Sequence, residues 1–388
     1  MRRVIPLLAS IFLAAGCRDP ARVSVRPQAT DELVLTIDVR DNAPADAMTV
    51  SALAVHVDGT AMHEVLIVPG SGRASYDTLI GPLSSADHTV EVKPSSAWPQ
   101  HTAVQLIGTA VKTVTAADPE YRLLRLAPAI VLRSDTTGTS NDMPVLLYVE
   151  DGRDALKYTT IFTNEDGGTE TAALFARWGR ACDIEETYVV QLDGAGRAIA
   201  ETFQGPEHKI TPFNGTRIGA HPVLTVATRN NMFLDSGAAG VTIRPVPVVV
   251  EPDAGTRESI LDARPWLQRL TARELAAEKK PFDPRDFVYL EANVRLGTDA
   301  AAAAWVDQTG GEHVSSDRGD ERLRVTRDGW VRVGVPLARD ASVSAAGWSC
   351  LPRKGRTGPG GPCQIQSGRI FRLSSDFEVR AIPVDVSK

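Results

Sequence analysis

Apolar and polar positions alternate with a period of two along short runs in the first third of the chain. Residues 33–39 alternate in this way, as a strand with one buried face does. An Asp58-Gly59 pair separates residues 50–57 from residues 63–68, and this arrangement predicts a β-hairpin. Further strand-like runs follow at residues 88–92, 103–107, 121–126 and 130–133. Their spacing predicts an immunoglobulin-like (Ig-like) β-sandwich over residues 32–133, in architecture only because the Cys…Trp…Cys pattern is absent.

The remainder of the chain has the same strand-like character. Residues 134–141 are polar and predict a linker. Beyond them, residues 142–388 predict a larger β-sandwich-type unit with a few short helices, either one body or two divided near residues 255–285. The strand-like runs lie at residues 144–150, 158–164, 184–192, 223–228, 241–250, 287–295, 323–335 and 370–384. The fold class predicted is therefore mainly β.

Two helices have recognisable ends in the sequence. Thr169 as a cap and Gly179 as a stop predict a short helix between them. The Thr271–Glu274 spacing is that of a capping box, which predicts a helix that begins there and ends before Pro281. The five alanines at residues 300–304 fit either a helix or a packed segment, and residues 311–320 predict an exposed loop.

Bulk composition narrows the class of protein. A chain of 388 residues predicts two or three domains, and 43% hydrophobic with 23% charged residues is typical of a water-soluble globular body. The net charge of −6 argues against nucleic acid as a partner, because such proteins present a basic surface.

The first seventeen residues have the order of a signal peptide. Arg2 and Arg3 precede an apolar run over residues 4–15, which is too short to span a bilayer. The run closes on Leu13-Ala14-Ala15-Gly16-Cys17, which resembles the lipobox of bacterial lipoproteins. The commonest lipobox has Leu where this chain has Ala14. An ordinary secretory signal cut elsewhere, or an uncleaved anchor, is the alternative interpretation.

The lipoprotein resemblance implies a location. It implies diacylglyceryl transfer to the Cys17 thiol, cleavage before Cys17, and acylation (as by palmitate) of the new amine, so that the membrane is a partner through the lipid. Arg18 rather than Asp follows the cysteine, which favours the outer membrane. Residues 18–31 then predict a flexible tether, with the folded body in the cell envelope, facing the periplasm or the medium.

Three further cysteines fit an oxidising compartment. Cys350 and Cys363 flank a Pro/Gly-rich segment and predict a disulfide. Cys182 is left over, and we expect it to be a small buried residue rather than a nucleophile.

Familiar catalytic motifs are absent from the sequence. The chain contains no HExxH, GxSxG, GxxxxGK[ST], GxGxxG or CxxC motif, and the turn at residues 165–168 lacks the ligand spacing of an EF-hand. We therefore predict no cofactor and no metal site.

One polar constellation is a candidate for chemistry. In a strand over residues 183–192, Asp183 and Glu185 share a face and lie roughly 7 Å apart, a separation compatible with acid–base catalysis. The same alternation predicts that Ile184 and Tyr188 share the other, apolar face. Asp166 precedes this strand, and His208 is a further candidate to approach it. If Glu186 is buried, Arg177 or Arg180 would have to pair with it. The candidate binding residues of the same region are Asn164, Arg177, Arg180, His221 and Asn230.

Two functions are compatible with these patterns. The first is a lipid-anchored binding or structural module of the envelope, whose partner is an envelope protein or a polysaccharide and whose Ig-like domain acts as a spacer. The alternative is an envelope hydrolase that acts on carbohydrate through Asp183 and Glu185. A catalytic pair predicts a concave pocket with a raised carboxyl pKa, whereas carboxylates paired with Arg177 and Arg180 predict a structural role.

Overall fold

The computed structural model describes residues 21–44, 47–98, 103–138, 141–165, 168–237, 239–251, 255–356, 361–384 and 386–387. The lipobox-like residues 13–17, which include Cys17, and Asp166 lie outside these residues. The described part of the chain is built from several β-sheets with three short α-helices, so the prediction of a mainly β fold is confirmed. None of these helices is both long and apolar enough to cross a bilayer.

The first body is a sandwich of two antiparallel sheets. Its strands are β1 (Arg22–Val25), β2 (Glu32–Asp41), β3 (Ser51–Val57), β4 (Thr60–Ile67), β5 (Gly72–Leu79), β6 (His88–Pro94) and β7 (Val104–Val114). One sheet has the order β5-β2-β7, and the other begins β1-β6-β3-β4. Leu33, Leu35, Ile37 and Val39 alternate along β2 and face the shared apolar core, as the period of two predicts.

The middle of the chain adds two helices and eleven strands. They are α1 (Tyr121–Arg125), β8 (Ala129–Val131), β9 (Pro144–Asp151), β10 (Ala155–Phe162), α2 (Thr171–Trp178), β11 (Asp183–Leu192), β12 (Ala198–Gly205), β13 (Lys209–Pro212), β14 (Arg217–Ile218), β15 (His221–Val226), β16 (Phe233–Leu234), β17 (Thr242–Ile243) and β18 (Val248–Val250). Strands β17, β8, β15 and β14 extend the sheet that begins at β1, and β16 pairs with β15. Strands that precede and strands that follow the predicted linker at residues 134–141 therefore belong to one sheet.

A second sheet of the middle region has the order β13-β12-β11-β10-β9-β18. Tyr158, Phe162, Tyr188 and Phe233 lie in the apolar core between this sheet and the extended one. The side chains of Phe162 and Phe233 meet across it, with ring centroids 6.1 Å apart. The two sheets thus share one core.

The last third is a second sandwich preceded by a helix. Its elements are α3 (Pro265–Ala277), β19 (Phe287–Leu296), β20 (Ala300–Gln308), β21 (His313–Ser315), β22 (Gly329–Pro336), β23 (Val343–Pro352), β24 (Cys363–Leu373), β25 (Val379–Ala381) and β26 (Val386–Ser387). The sheets have the orders β22-β19-β24-β25 and β21-β20-β23-β26. Five 3₁₀ helices complete the described elements at Ser134–Thr136, Pro206–His208, Arg257–Leu261, Pro284–Asp286 and Glu321–Leu323.

Several local predictions differ from the structure. The run predicted as a strand at residues 121–126 is helix α1, because a short apolar run does not distinguish a buried helix from a strand. Helix α3 begins at Pro265, since proline suits the first helical turn, and the Thr271 hydroxyl instead donates to the Leu267 carbonyl inside the helix. The alanine run is strand β20, and β21 occupies part of the predicted loop.

Other local predictions are confirmed. Helix α2 covers Thr171–Trp178 and ends at Gly179, whose φ of 58° is the left-handed conformation that favours glycine. By contrast, Arg22–Val25, within the segment predicted to be a flexible tether, pair with β6 as an edge strand.

The predicted disulfide between Cys350 and Cys363 is present. It joins β23 to β24, which belong to the two different sheets of the last sandwich. The third described cysteine, Cys182, is buried and free, as the sequence predicted.

Removing this disulfide should lower the free energy of unfolding of the last sandwich by about 3 kcal/mol, because a loop of this length is then open in the unfolded chain. Urea unfolding of a Cys350→Ser/Cys363→Ser variant measures the change. Added reductant should destabilise the wild-type chain to the same extent and leave the variant unaffected. Equal midpoints for wild type and variant would show that the bond contributes nothing.

Candidate functional site

A polar pocket of about 320 Å³ opens beside the first residues of β11. Its walls come from α2, from β11 and β12, and from the two 3₁₀ helices that carry His208 and Arg257. The lining residues are Glu165, Thr169, Leu174, Arg177, Trp178, Arg180, Glu185, Gln204, His208 and Arg257. The pocket therefore brings together four residues that the sequence singled out for this site, which are Arg177, Arg180, Glu185 and His208.

A β-bulge in β11 shapes this wall. The pairing of β11 with β10 shifts by one residue between Tyr158/Tyr188 and Thr159/Glu186. Tyr188 therefore lies in the core between the two middle sheets, whereas Ile184 packs in a different cluster with Leu267. The prediction that Ile184 and Tyr188 share one face is wrong, because a bulge changes the side to which the later residues point.

Arg180 is the most deeply buried arginine of the pocket wall, with 3% of the residue exposed. Its Nη1 lies 3.6 Å from Asp183 Oδ1, and its Nε lies 3.4 Å from Glu258 Oε1. Burying a guanidinium without an opposite charge is costly, so these two carboxylates stabilise it. Asn231 Nδ2 also donates to Asp183 Oδ2 at 3.1 Å.

Asp183 has no solvent exposure and does not line the pocket. Its contacts with Arg180 and Asn231 are those of a structural residue. Of the predicted carboxylate pair, only Glu185 reaches the pocket wall.

Glu185 holds a proton at neutral pH. Burial raises the pKa of Glu185 to about 9, and the negative charge of Asp183 and a hydrogen bond shared with it act in the same direction. The Gln204 side-chain amide donates to Glu185 Oε2, and His208 Nδ1 lies 4.0 Å from the same oxygen. A protonated carboxyl in this pocket can donate a hydrogen bond or transfer a proton.

Two guanidinium groups on the wall have no carboxylate partner among the described residues. Arg177 lies 4.2 Å above the ring of Trp178, and its buried Nε has no hydrogen-bond partner in that part of the chain. Burial lowers the pKa of Arg177, although the charge of Glu165 opposes the shift. Arg257 is exposed and forms neither an ion pair nor a hydrogen bond with any described residue. The pocket therefore carries two guanidinium groups that form no ion pair with the described part of the chain.

Glu165 lines the pocket, and Asn230 lies close to it beside Gly168. The Thr169 backbone N–H donates to Glu165 Oε1 at 2.5 Å, and burial raises the pKa of Glu165. A Cβ at Gly168 would lie 1.6 Å from Asn230 Oδ1 and 1.7 Å from Glu165 Oε1, so only glycine leaves room for both side chains. Asn230 packs behind the lining residues rather than among them.

The other predicted binding residues have structural contacts. Asn164 Oδ1 accepts from the Asp142 backbone N–H at 2.6 Å, beneath the pocket. His221 lies away from it on β15, where Nε2 is 3.1 Å from Glu32 Oε2 and Nδ1 is 2.9 Å from the Ala127 carbonyl oxygen. His221 therefore joins β15 to the first sandwich.

Sequence reasoning missed Gln204, Arg257 and Glu258. The Asp193-Gly194 turn was a usable signal for Gln204, because a turn of this kind joins two antiparallel strands. The strand after the turn, β12, runs back beside β11 and places Gln204 near the start of β11. No local pattern marks Arg257 or Glu258, which reach the site only through the tertiary fold.

Replacing Glu185 with glutamine should change how stability depends on pH. In the wild type the folded state keeps the Glu185 proton up to about pH 9, whereas the unfolded chain releases it near pH 4.5, the ordinary pKa of a glutamate. The unfolded state thus binds fewer protons in this window, and the free energy of unfolding falls as pH rises, by at most about 1.4 kcal/mol per pH unit. Glu185→Gln removes this slope.

Urea unfolding at pH 5, 6, 7 and 8 measures the effect. The stability of Glu185→Gln relative to wild type should increase with each step. Glu207→Gln is the matched control, because Glu207 is an exposed carboxylate nearby. A constant difference between Glu185→Gln and wild type across the series would contradict a retained proton.

Comparisons with known proteins give no relative for this chain. No protein-family model matches it, and no curated protein matches it. Among solved structures, the M60 catalytic domain with the CBM51-1 and CBM51-2 domains from Clostridium perfringens ZmpB aligns with 92% of this chain and 33% of that chain. This chain thus spans about a third of that chain. The TM-score is 0.16 with 10% sequence identity, so the likeness carries no argument about fold or function.

Proposed function

We propose that the chain is a lipid-anchored binding protein of the cell envelope whose polar pocket takes an acidic sugar unit of a polysaccharide. The observation that carries this proposal is the pair of guanidinium groups, Arg177 and Arg257, that face one pocket with no carboxylate partner among the described residues. Guanidinium groups bind carboxylates through paired hydrogen bonds, which suits a uronate.

Neutral groups beside the arginines suit sugar hydroxyls. Glu185 carries a proton and Gln204 an amide, so both can donate and accept hydrogen bonds without adding negative charge to the pocket. A volume of about 320 Å³ fits one sugar unit better than a folded partner. Trp178 already lies beneath Arg177 and Arg327, so its ring holds the guanidinium groups in place rather than stacking on a sugar.

Hydrolysis of such a sugar is the second candidate function. The observation that favours it is the proton on Glu185, since a general acid must hold its proton at the working pH. Glu165 is the second carboxyl group on the pocket wall, whereas Asp183 is enclosed. Acid catalysis would therefore use Glu185 with Glu165.

Isothermal titration calorimetry with D-glucuronate and with short glucuronate oligomers tests the binding proposal. Wild type should bind them, and Arg177→Gln should weaken binding about tenfold or more, because a charge-assisted hydrogen bond contributes about 1.5–3 kcal/mol. Arg197→Gln, which removes an exposed guanidinium outside the pocket, is the matched control. Glucose should bind more weakly than glucuronate.

Absence of binding, or equal affinity for glucose and glucuronate, would contradict the acidic-sugar assignment. Release of reducing ends from the oligomers by wild type but not by Glu185→Gln would favour the hydrolase instead. If the wild type releases no reducing ends from the oligomers, the pocket binds the sugar without hydrolysing it.

The anchor belongs to the same proposal. The lipobox-like sequence ending at Cys17 supports it, and the position of β1 adds a distance limit. From Cys17 to Arg22 an extended chain reaches about 18 Å at most. A lipidated Cys17 would thus hold the first sandwich close to the membrane, with the outer membrane favoured by Arg18.

Replacing Cys17 with alanine should release the protein from membranes, since two or three acyl chains are needed for firm attachment. Fractionation of cells that produce wild type or Cys17→Ala, followed by mass spectrometry of the mature N-terminus, measures this. Cys182→Ala is the control and should stay with the membranes. Membrane retention of Cys17→Ala, or an unmodified Cys17 in the wild type, would contradict the anchor.

A further inference from the structure

A second and larger cavity of about 940 Å³ lies on another side of the middle region. Its walls come from the β4–β5 hairpin of the first sandwich, from β9, from the segment that links β17 to β18, and from α3. None of the residues that line the polar pocket lines this cavity. The two sites are therefore separate.

The cavity wall is mostly apolar. Leu66, Val68, Val145 and Val246 are only partly buried by the protein, because part of each side chain faces open space. The other aliphatic lining residues are Val65, Ile130, Met143, Leu146, Leu147, Ile243 and Val248. A concave site of this size and lining is typical of small-molecule sites that hold a hydrocarbon group.

One face of α3 supplies an aromatic ring and two positive charges. Trp266, Arg269 and Arg273 follow one another at intervals of three and four residues, so all three lie on the helix face that lines the cavity. Trp266 is 36% exposed, and Arg269 is exposed as well. Arg273 Nη2 donates to the Pro69 carbonyl at 2.9 Å, which brings the helix against the first sandwich at the cavity.

A third guanidinium, that of Arg244, lies in the wall of the cavity. Arg244 lines the cavity but is only 2% exposed, and none of its three side-chain nitrogens has a hydrogen-bond partner among the described residues. Burial lowers the pKa of Arg244 to about 10, opposed by the charge of Glu32, so it stays positive at neutral pH. In an interior of low dielectric, an unpaired charge attracts an anion without touching it.

Among the described residues, none of the three acidic lining residues forms an ion pair with Arg244 or Arg269. Burial raises the pKa of the Glu64 carboxyl, because it disfavours the negatively charged form. Asp77 accepts from the Thr36 hydroxyl at 2.6 Å on the exposed face of β5. Asp376, the other acidic lining residue, meets α3 through its backbone, since its carbonyl accepts from Arg269 Nη2 at 3.5 Å.

We infer that this cavity binds a long-chain carboxylic acid, with the alkyl chain among Leu66, Val145 and Val246 and the carboxylate beside Arg269 and Arg273. The aliphatic walls contact the hydrocarbon chain, and the two arginines on α3 bind the carboxylate. The positive charge of Arg244 attracts the same carboxylate. The inference stands on a different cavity from the proposed sugar site, so either can fail without the other.

Isothermal titration calorimetry of the purified full chain with dodecanoate, below its micelle concentration, tests this inference. Wild type should bind one molecule per chain. An Arg269→Gln/Arg273→Gln variant should bind at least tenfold more weakly, whereas an Arg197→Gln/Arg380→Gln variant, which removes two exposed guanidinium groups elsewhere, should bind as wild type does. Thermal unfolding checks that both variants are folded.

Three further probes use the unaltered chain. Dodecanol and dodecylamine should each bind at least tenfold more weakly than dodecanoate, because they lack the negative charge. Octanoate should bind more weakly than dodecanoate, because a shorter chain buries less apolar area. Equal binding of the alcohol and the acid would overturn the inference. So would absence of dodecanoate binding, or dodecyl phosphate binding more than tenfold tighter than dodecanoate.

Discussion

The buried charge of Arg180 sets the chemistry of the polar pocket. Because its guanidinium is closed off from water, Arg180 needs the carboxylates of Asp183 and Glu258 as partners. The charge of Asp183 in turn disfavours a second charge on Glu185. Asp183 and Glu258 pair with Arg180, and among the described residues the guanidinium groups of Arg177 and Arg257 have no carboxylate partner. The burial of Arg180 beside Asp183 thus contributes to the proton that Glu185 retains.

The parts of the fold that follow from local pattern were predictable from sequence. The period of two marks β2, the Asp58-Gly59 turn marks the β3–β4 hairpin, and Gly179 marks the end of α2. The predicted cap at Thr169 is wrong by one residue, because Glu170 holds the N-cap position. These features depend on neighbours in the chain, so the sequence carries them directly. The disulfide was predictable for the same reason, because its two cysteines flank a short segment.

The site was only partly predictable, because long-range pairing assembles it. The sequence pointed to Arg177, Arg180 and Glu185, which meet in the pocket. It also pointed to His221, and nothing local shows that Glu32, far away in sequence, pairs with that histidine. The bulge in β11 is set by its partner β10 and not by β11 alone, so the face of Ile184 was assigned wrongly. Arg257 reaches the pocket by a contact that no local pattern encodes.

The pairing of β17 with β4 has a consequence for biosynthesis. Strand β4 lies at the end of the β1-β6-β3-β4 array until residues 242–243 add the next strand. As the polypeptide emerges from its amino end, the backbone groups around Glu64 on that edge stay unpaired until Ile243 has been made. An open edge of this kind is a template for pairing with other chains. This part of β4 is therefore open to pairing with other nascent molecules until residue 243 has emerged.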